Sequence, residues 1–194
     1  NIKKIKIAKW LNIFLILFCL LVTIKYHLRF NEERKMLDLE NINLSNYFDT
    51  EKIDPKLKGL KWISRKYYSN QQVEINKLLI FKKILQNENK KIMFISNYQF
   101  FSSILNKPLH SPNRWYGTSV AHPSELNPFY EEYLLFNYDV IKKNKIEVIF
   151  IDLSLGKYQF DLFNKIFKKL PVGCIESNII EEVLYKFDLS SCHN

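Results

Sequence analysis

The sequence predicts an α/β chain: one apolar N-terminal helix, then a small Rossmann-like domain in which helices flank a parallel sheet. Three observations predict it. Residues 10–24 form an almost uninterrupted apolar run. Residues 92–95 (Ile92, Met93, Phe94, Ile95) and 148–151 (Val148, Ile149, Phe150, Ile151) are apolar runs of strand length, the pattern of strands covered on both faces. Each run follows a helix-period segment and a basic turn. A strand, a crossover helix and a second strand imply a parallel pair with a right-handed connection.

The apolar run comes first in the chain. Counted from Ile7 to Ile24 it is 18 residues long, interrupted by Lys9, Asn12 and Thr23, which suffices for a short membrane span. Trp10 and Tyr26 stand where interfacial aromatics belong, and Lys3, Lys4, Lys6 and Lys9 precede the run. That excess of N-terminal lysine favours a cytoplasmic N-terminus with the remainder outside. A cleaved signal peptide is the first competitor, but no small-x-small site follows Thr23. A buried core helix is the second, and it would show a polar face. With Asn1 in place of a Met, the chain reads as a piece of a longer polypeptide.

Three parts follow from this: residues 1–30 as a transmembrane helix with its flanks, 31–72 as a juxtamembrane segment, and 73–194 as an extracytoplasmic α/β domain. In the second part, Asp54-Pro55 and Lys58-Gly59 signal turns, and Leu60, Lys61, Trp62 and Ile63 form a short apolar island. Residues 73–86 read as an amphipathic helix with Leu78, Leu79, Ile84 and Leu85 on its apolar side. The first strand is then followed by a turn or two of helix within 98–105. Next comes a long irregular connection, 107–128, marked by Pro108, Pro112, Pro123 and Pro128; a loop of such length is commonly functional or disordered. Asn127 as N-cap, Pro128 at the first helical position, and Glu131 and Glu132 in the first turn start a helix that runs to about Lys143. It should bury Tyr133, Leu134, Val140 and Ile141. After the second strand, residues 157–169 form a helix with Phe160, Phe163, Ile166 and Phe167 on its apolar face, stopped by Pro171 and Gly173. Cys174-Ile175 is a short third strand, and 179–187 a last helix or strand.

Composition narrows the function classes. The 194 residues carry a net charge of +9, with lysine, asparagine and isoleucine abundant together, as a base-composition bias in the coding sequence produces. The lysines are scattered and accompany no nucleic-acid-binding signature, so nucleic acid is excluded as a partner. Cys19 sits within the apolar run as a small hydrophobe. Cys174 and Cys192, 18 apart, have two readings, a disulfide if the domain is extracytoplasmic or two buried thiols. No Cys-x-x-Cys spacing supports a metal site, and no cofactor is called for.

Ligands of open parallel sheets bind beyond the carboxyl ends of the strands. Here those ends are Ser96-Asn97-Tyr98 and Asp152-Leu153-Ser154, and the long loop leaves from the first, bringing His110, Asn113, Arg114, Trp115, Tyr116 and His122 within reach. Arg114 offers a fork for carboxylate or phosphate, and Trp115 and Tyr116 offer faces for a sugar or a lipid head. The candidate ligand-binding set is therefore Asn97, Tyr98, His110, Asn113, Arg114, Trp115, Tyr116 and Asp152. The plainer alternative has Trp115 and Tyr116 pinning the loop, Arg114 paired with a surface acid and Asp152 capping the next turn. No nucleophile elbow, P-loop or dinucleotide fingerprint is present among only four glycines, and no catalytic residue is assigned. Glu131-Glu132 and Glu181-Glu182 are neighbours whose side chains diverge on a helix, and read as solvated. Asn43-Leu44-Ser45 is a formal glycosylation sequon, informative only in a eukaryotic host.

The stretches 91–100, from Lys91 through Ser96-Asn97-Tyr98 to Phe100, and 110–116, from His110 through Arg114 to Tyr116, resemble a known group, and 143–151 and 174–192 fit the same picture. They are similar to the C-terminal part of polytopic bacterial membrane glycosyltransferases of GT-C type, the dolichyl-phosphate-mannose-transferase-like group. The resemblance implies a last spanning helix in the inner membrane and a periplasmic α/β domain. Its partners would be membrane lipid and a polyprenyl-phosphate sugar or glycan acceptor. The catalytic acid of that group lies in an early loop outside these residues, so none is carried over. The chain itself would assist binding. A single-pass, membrane-anchored interaction domain of the cell envelope without catalysis is the alternative.

Overall fold

A computed structural model describes residues 2–29, 43, 45–64, 66–116, 123, 125–171 and 173–193. The first part of the expected juxtamembrane segment (31–42), Leu44 of the sequon and His122 lie outside the described residues. The chain divides into two units, one made of Asn1–Asp49 with Lys61–Gln71 and the other of Thr50–Leu60 with Gln72–Asn194.

The first unit contains helix α1, Ile2–His27. Its segment Lys9–His27 has a mean hydropathy of 1.7 and none of it is buried within the protein. A soluble core helix would be covered; this one shows its apolar side chains all round, from Trp10 and Leu11 to Leu21 and Ile24. Among the described residues it is the one helix long and apolar enough to cross a membrane, a form that an anchor and a signal sequence share. Thr23 hides its hydroxyl by donating to the Cys19 carbonyl one turn back, at 2.8 Å. The same unit holds a short antiparallel ribbon of β1 (Phe48–Asp49) and β2 (Lys61–Trp62), with Phe48 opposite Trp62 and Asp49 opposite Lys61.

The second unit is built on a four-stranded sheet of β3 (Ile92–Ile95), β4 (Val148–Asp152), β5 (Glu176–Ile180) and β6 (Leu184–Asp188), in the order β3-β4-β6-β5. The β3–β4 pair is parallel, Ile92 opposite Val148 and Ile95 opposite Ile151. Both remaining pairings are antiparallel. The expected parallel sheet is thus a mixed one. The expected third strand at Cys174-Ile175 lies two residues early, and 179–187 is not a single element but spans the end of β5, the hairpin turn and most of β6. The physical reason is the connection. Only Glu181, Glu182 and Val183 separate β5 from β6, too few for the crossover that a parallel neighbour requires.

Helices cover both faces of β3 and β4, which is why those strands read as unbroken apolar runs. On one face α2 (Gln71–Asn87) and the short α3 (Phe101–Ile104) meet Phe94, whose ring lies edge-on 5.6 Å from Phe81 and 6.1 Å from Phe101. On the other, α4 (Tyr130–Asn144) and α5 (Lys157–Phe167) bring Leu134, Ile141, Phe163 and Ile166 against Met93, Ile95, Ile149 and Ile151. Burying each such side chain contributes roughly 1.5–3 kcal/mol. Thr50–Leu60 belongs to this unit through two 3-10 turns, and is fastened where Asp54 pairs with Lys82 at 2.7 Å and Lys56 donates to the Ile104 carbonyl.

Helix α4 begins at Tyr130, three residues after the expected Asn127 cap. Asn127 instead accepts from the Phe129 amide at 2.9 Å, an Asx turn that leads into the helix. At the other end Lys145 takes the left-handed conformation (φ 51°), and Ile146 N–H reaches the Ile141 carbonyl at 3.0 Å, a Schellman closure with lysine where glycine is usual. Cys174 and Cys192 are disulfide-bonded, Cα atoms 5.0 Å apart, tying the start of β5 to the 3-10 turn Ser190–His193 after β6.

Candidate functional site

Two polar assemblies occupy the carboxyl ends of β3 and β4, one closed and one open. The closed one is centred on Asp152. The alternation of β4 turns Val148, Phe150 and Asp152 toward α2, and Asp152 there meets Lys77, whose Nζ lies 2.9 Å from Oδ1 and 3.0 Å from Oδ2. Lys77 is 6% exposed and Asp152 1%. The ammonium also donates to Ser154 Oγ at 2.7 Å and stands 5.1 Å from the ring centres of Phe81 and Tyr98. Asp152 accepts in addition from the Ser154 amide at 2.9 Å and from Ser96 Oγ at 3.2 Å. Tyr98, through its amide, donates to Ser96 Oγ, and its hydroxyl donates to buried Glu74 at 2.8 Å. A buried ion pair is tolerated when its remaining valences are filled in this way.

The arrangement has a consequence for ligands. The crevice that an open parallel pair leaves at its carboxyl end is filled here by the chain's own lysine. Of the sequence-derived candidates, Tyr98 and Asp152 are therefore engaged internally, and Asp152 does cap the 3-10 turn Leu153–Leu155 as the plainer alternative had it. Reading the sequence missed Glu74 and Lys77. Residues 74, 77, 78, 81 and 85 share one helical face, and the expected apolar pair Leu79 and Ile84 is exposed and half-buried respectively.

The open assembly is the first part of the long loop. The Leu109 carbonyl accepts from Phe94 N–H at 2.9 Å, so the loop runs along the free edge of β3. His110 turns the chain with φ 42°. Burial, and then the charge of Lys91, hold the half-buried His110 imidazole below its ordinary pKa. Ser111 Oγ spends its single proton on the Asn113 carbonyl (2.7 Å), so the Tyr116 hydroxyl donates to Ser111 Oγ (2.7 Å) and accepts from the Asn113 amide (3.2 Å). The Tyr116 amide donates to Asn97 Oδ1 at 2.7 Å, and Asn113 Nδ2 donates to the Tyr133 hydroxyl on α4. Burial pushes the phenols of Tyr116 and Tyr133 up, so both remain neutral donors throughout the physiological range.

Comparison with protein families, with curated proteins and with solved structures finds no match for this chain.

The local geometry therefore carries the assignment. Tyr116 is 3% exposed and anchors the loop, as the plainer alternative expected, whereas Trp115 beside it is 74% exposed and is not buried against the loop. Arg114 is exposed and, among the described residues, pairs with no acid. Asn97, Asn113 and Tyr116 are brought together by hydrogen bonds. Arg114 and Trp115 are carried on top of that network as adjacent, outward-facing side chains. Among the described residues no group of three or more His, Cys, Asp or Glu side chains is placed to hold a metal ion.

Proposed function

We propose that this chain is a membrane-tethered, extracytoplasmic binding module, not itself catalytic, that takes the phosphorylated sugar head of a polyprenyl-phosphate sugar or a glycan acceptor. The observation that carries the reading is the fixed turn 110–116. Five hydrogen bonds hold it, and it carries an exposed indole and an exposed guanidinium that pairs with no acid among the described residues. Arginine offers two parallel donors to a phosphate, and an indole face packs against the apolar face of a sugar ring. Preorganisation matters because each side chain already held in place reduces the entropy lost on binding.

Support for a tethered, extracytoplasmic placement comes from α1, from the lysines that precede it and from the Cys174–Cys192 disulfide, a bond of oxidising compartments. A binding role is favoured over a reaction because the most substantial acid–base pair, Lys77 with Asp152, is enclosed and mutually satisfied. The resemblance to GT-C glycosyltransferases suggests the class of ligand, and in that reading any transfer reaction belongs to residues outside this chain. In that reading the domain is periplasmic and Rossmann-like only in its β3–α4–β4 part.

The experiment is equilibrium binding of a short-chain prenyl-phosphate sugar to the full chain in detergent, with Arg114→Ala and Arg114→Lys. Losing a bidentate charge-assisted pair costs about 1.5–3 kcal/mol, or roughly 10- to 100-fold in Kd. Unchanged affinity in Arg114→Ala, at unchanged thermal stability, would leave the single-pass interaction domain as the better reading.

A further inference from the structure

The first unit holds a basic, aromatic-rich segment that the Arg114 loop does not include. Residues 61–71 contain Lys61, Arg65 and Lys66 and not one acid, interleaved with Trp62, Tyr67 and Tyr68. The β1–β2 ribbon adds Tyr47, whose ring lies 3.9 Å beneath Lys61 Nζ and whose hydroxyl accepts from it at 2.6 Å. Tyr68 in turn accepts from the Asn43 amide at 3.1 Å. Lys61 and Lys66 are exposed, and Trp62, Ile63, Tyr67 and Tyr68 are half-buried. Half-covered amphipathic aromatics beside exposed lysines are what a membrane–water interface selects, rings at the headgroup level and ammonium groups on the phosphates.

We propose that this segment, Lys61 to Tyr68 with Tyr47, seats on the headgroups of anionic phospholipid. The occupant follows from two facts of the same unit. Residues 61–71 carry three cations and no acid, with Asp49 opposite Lys61 as the one carboxylate of the ribbon, and they belong to the same unit as α1, the helix long and apolar enough to cross a bilayer. Tethering makes the second contact intramolecular, so a weak patch suffices. Each lysine near an anionic surface strengthens partitioning roughly five-fold, and salt screens the effect. The inference rests on α1 acting as an anchor but not on the sugar-phosphate site.

The test uses the full chain carrying Trp10→Phe and Trp115→Phe, so that Trp62 is the sole indole. It is reconstituted in phosphatidylcholine vesicles with or without a third of phosphatidylglycerol, each doped with a bromolipid quencher. The expected result is Trp62 quenching at least two-fold stronger with phosphatidylglycerol, abolished by 0.5 M salt and by Lys61→Gln with Lys66→Gln. The salt titration requires no further variant, so a misfolded double mutant would not blunt the test. Equal, salt-insensitive quenching in both vesicles, with the chain floating on both, overturns this inference alone. A chain that floats with neither overturns the anchor reading and this inference with it. Shielding of Trp62 in native membranes but not in lipid vesicles overturns it in favour of a protein partner.

Discussion

Replacing Lys77 with Met isolates the enclosed centre of the second unit. The substitution keeps an unbranched apolar stem and removes the ammonium together with its contact over the Phe81 and Tyr98 rings. Asp152 would retain the Ser154 amide and the Ser96 hydroxyl but would be left as a buried carboxylate, 1% exposed, without a countercharge. Breaking one side of such a pair costs about 3–5 kcal/mol, a large share of the 5–15 kcal/mol that holds an ordinary domain. With a urea dependence of about 2 kcal/mol per M, the midpoint should fall by about 2 M. The measurement is equilibrium urea unfolding of the full chain in detergent, followed by fluorescence. Adding Asp152→Asn to Lys77→Met removes the stranded charge while an amide oxygen still accepts from the Ser154 amide. The double variant should regain at least half of the loss. A loss below about 1 kcal/mol in Lys77→Met, or a double variant weaker than the sum of the single ones, would refute the description of a closed, mutually satisfied pair.

Three other outcomes are expected. Reducing the disulfide, or Cys174→Ser with Cys192→Ser, should destabilise the hairpin end by about 3 kcal/mol for a loop of 18 residues, read as a drop in urea midpoint. Glu181 and Glu182 hold φ of 49° and 55° at the β5–β6 turn, so Glu182→Gly should raise stability by up to about 1 kcal/mol in the same assay. Two groups should shape the pH dependence. Burial raises the Asp188 carboxyl, but hydrogen bonds from Lys90 and from the Ser190 hydroxyl and amide outweigh it and hold the pKa at about 2. Its stabilisation is present above the ordinary value of 3.8 and lost as pH falls toward 2, and Asp188→Asn should remove that slope from an acid titration of stability. His110, lowered in the fold, takes up its proton more readily when unfolded, so stability should decline as pH falls through 6.5; His110→Asn, which tolerates the same backbone conformation, should flatten that decline.

What could be read in advance follows the range of the interactions. Helix α2, strands β3 and β4 and their parallel pairing rest on local periodicity and on chain order, and these are visible in the residues themselves. The hairpin was hidden because Glu181-Glu182 gives no turn signal of the Asn-Gly kind, although the backbone takes the left-handed form there. Glu74 and Lys77 carry no local sign of burial because Asp152, the partner of Lys77, lies 75 residues away and Tyr98, the partner of Glu74, 24 away. The prominence of Arg114 and Trp115 was legible from residue type. That Tyr116 would be buried while its neighbour Trp115 stays out was not, since it depends on Asn97, Ser111 and Asn113 closing around one hydroxyl and one amide.

The most direct measurement of the proposed binding site is a photo-crosslink. A prenyl-phosphate sugar with a diazirine on the sugar would be irradiated with the full chain in native membranes, and adducts mapped by mass spectrometry. Saturable labelling confined to 97 and 110–116, competed by unmodified ligand and reduced about ten-fold in Arg114→Ala, is the expected result. Labelling spread along α1 alone, or unaffected by competitor, would contradict a sugar-phosphate site on the strand-end loop.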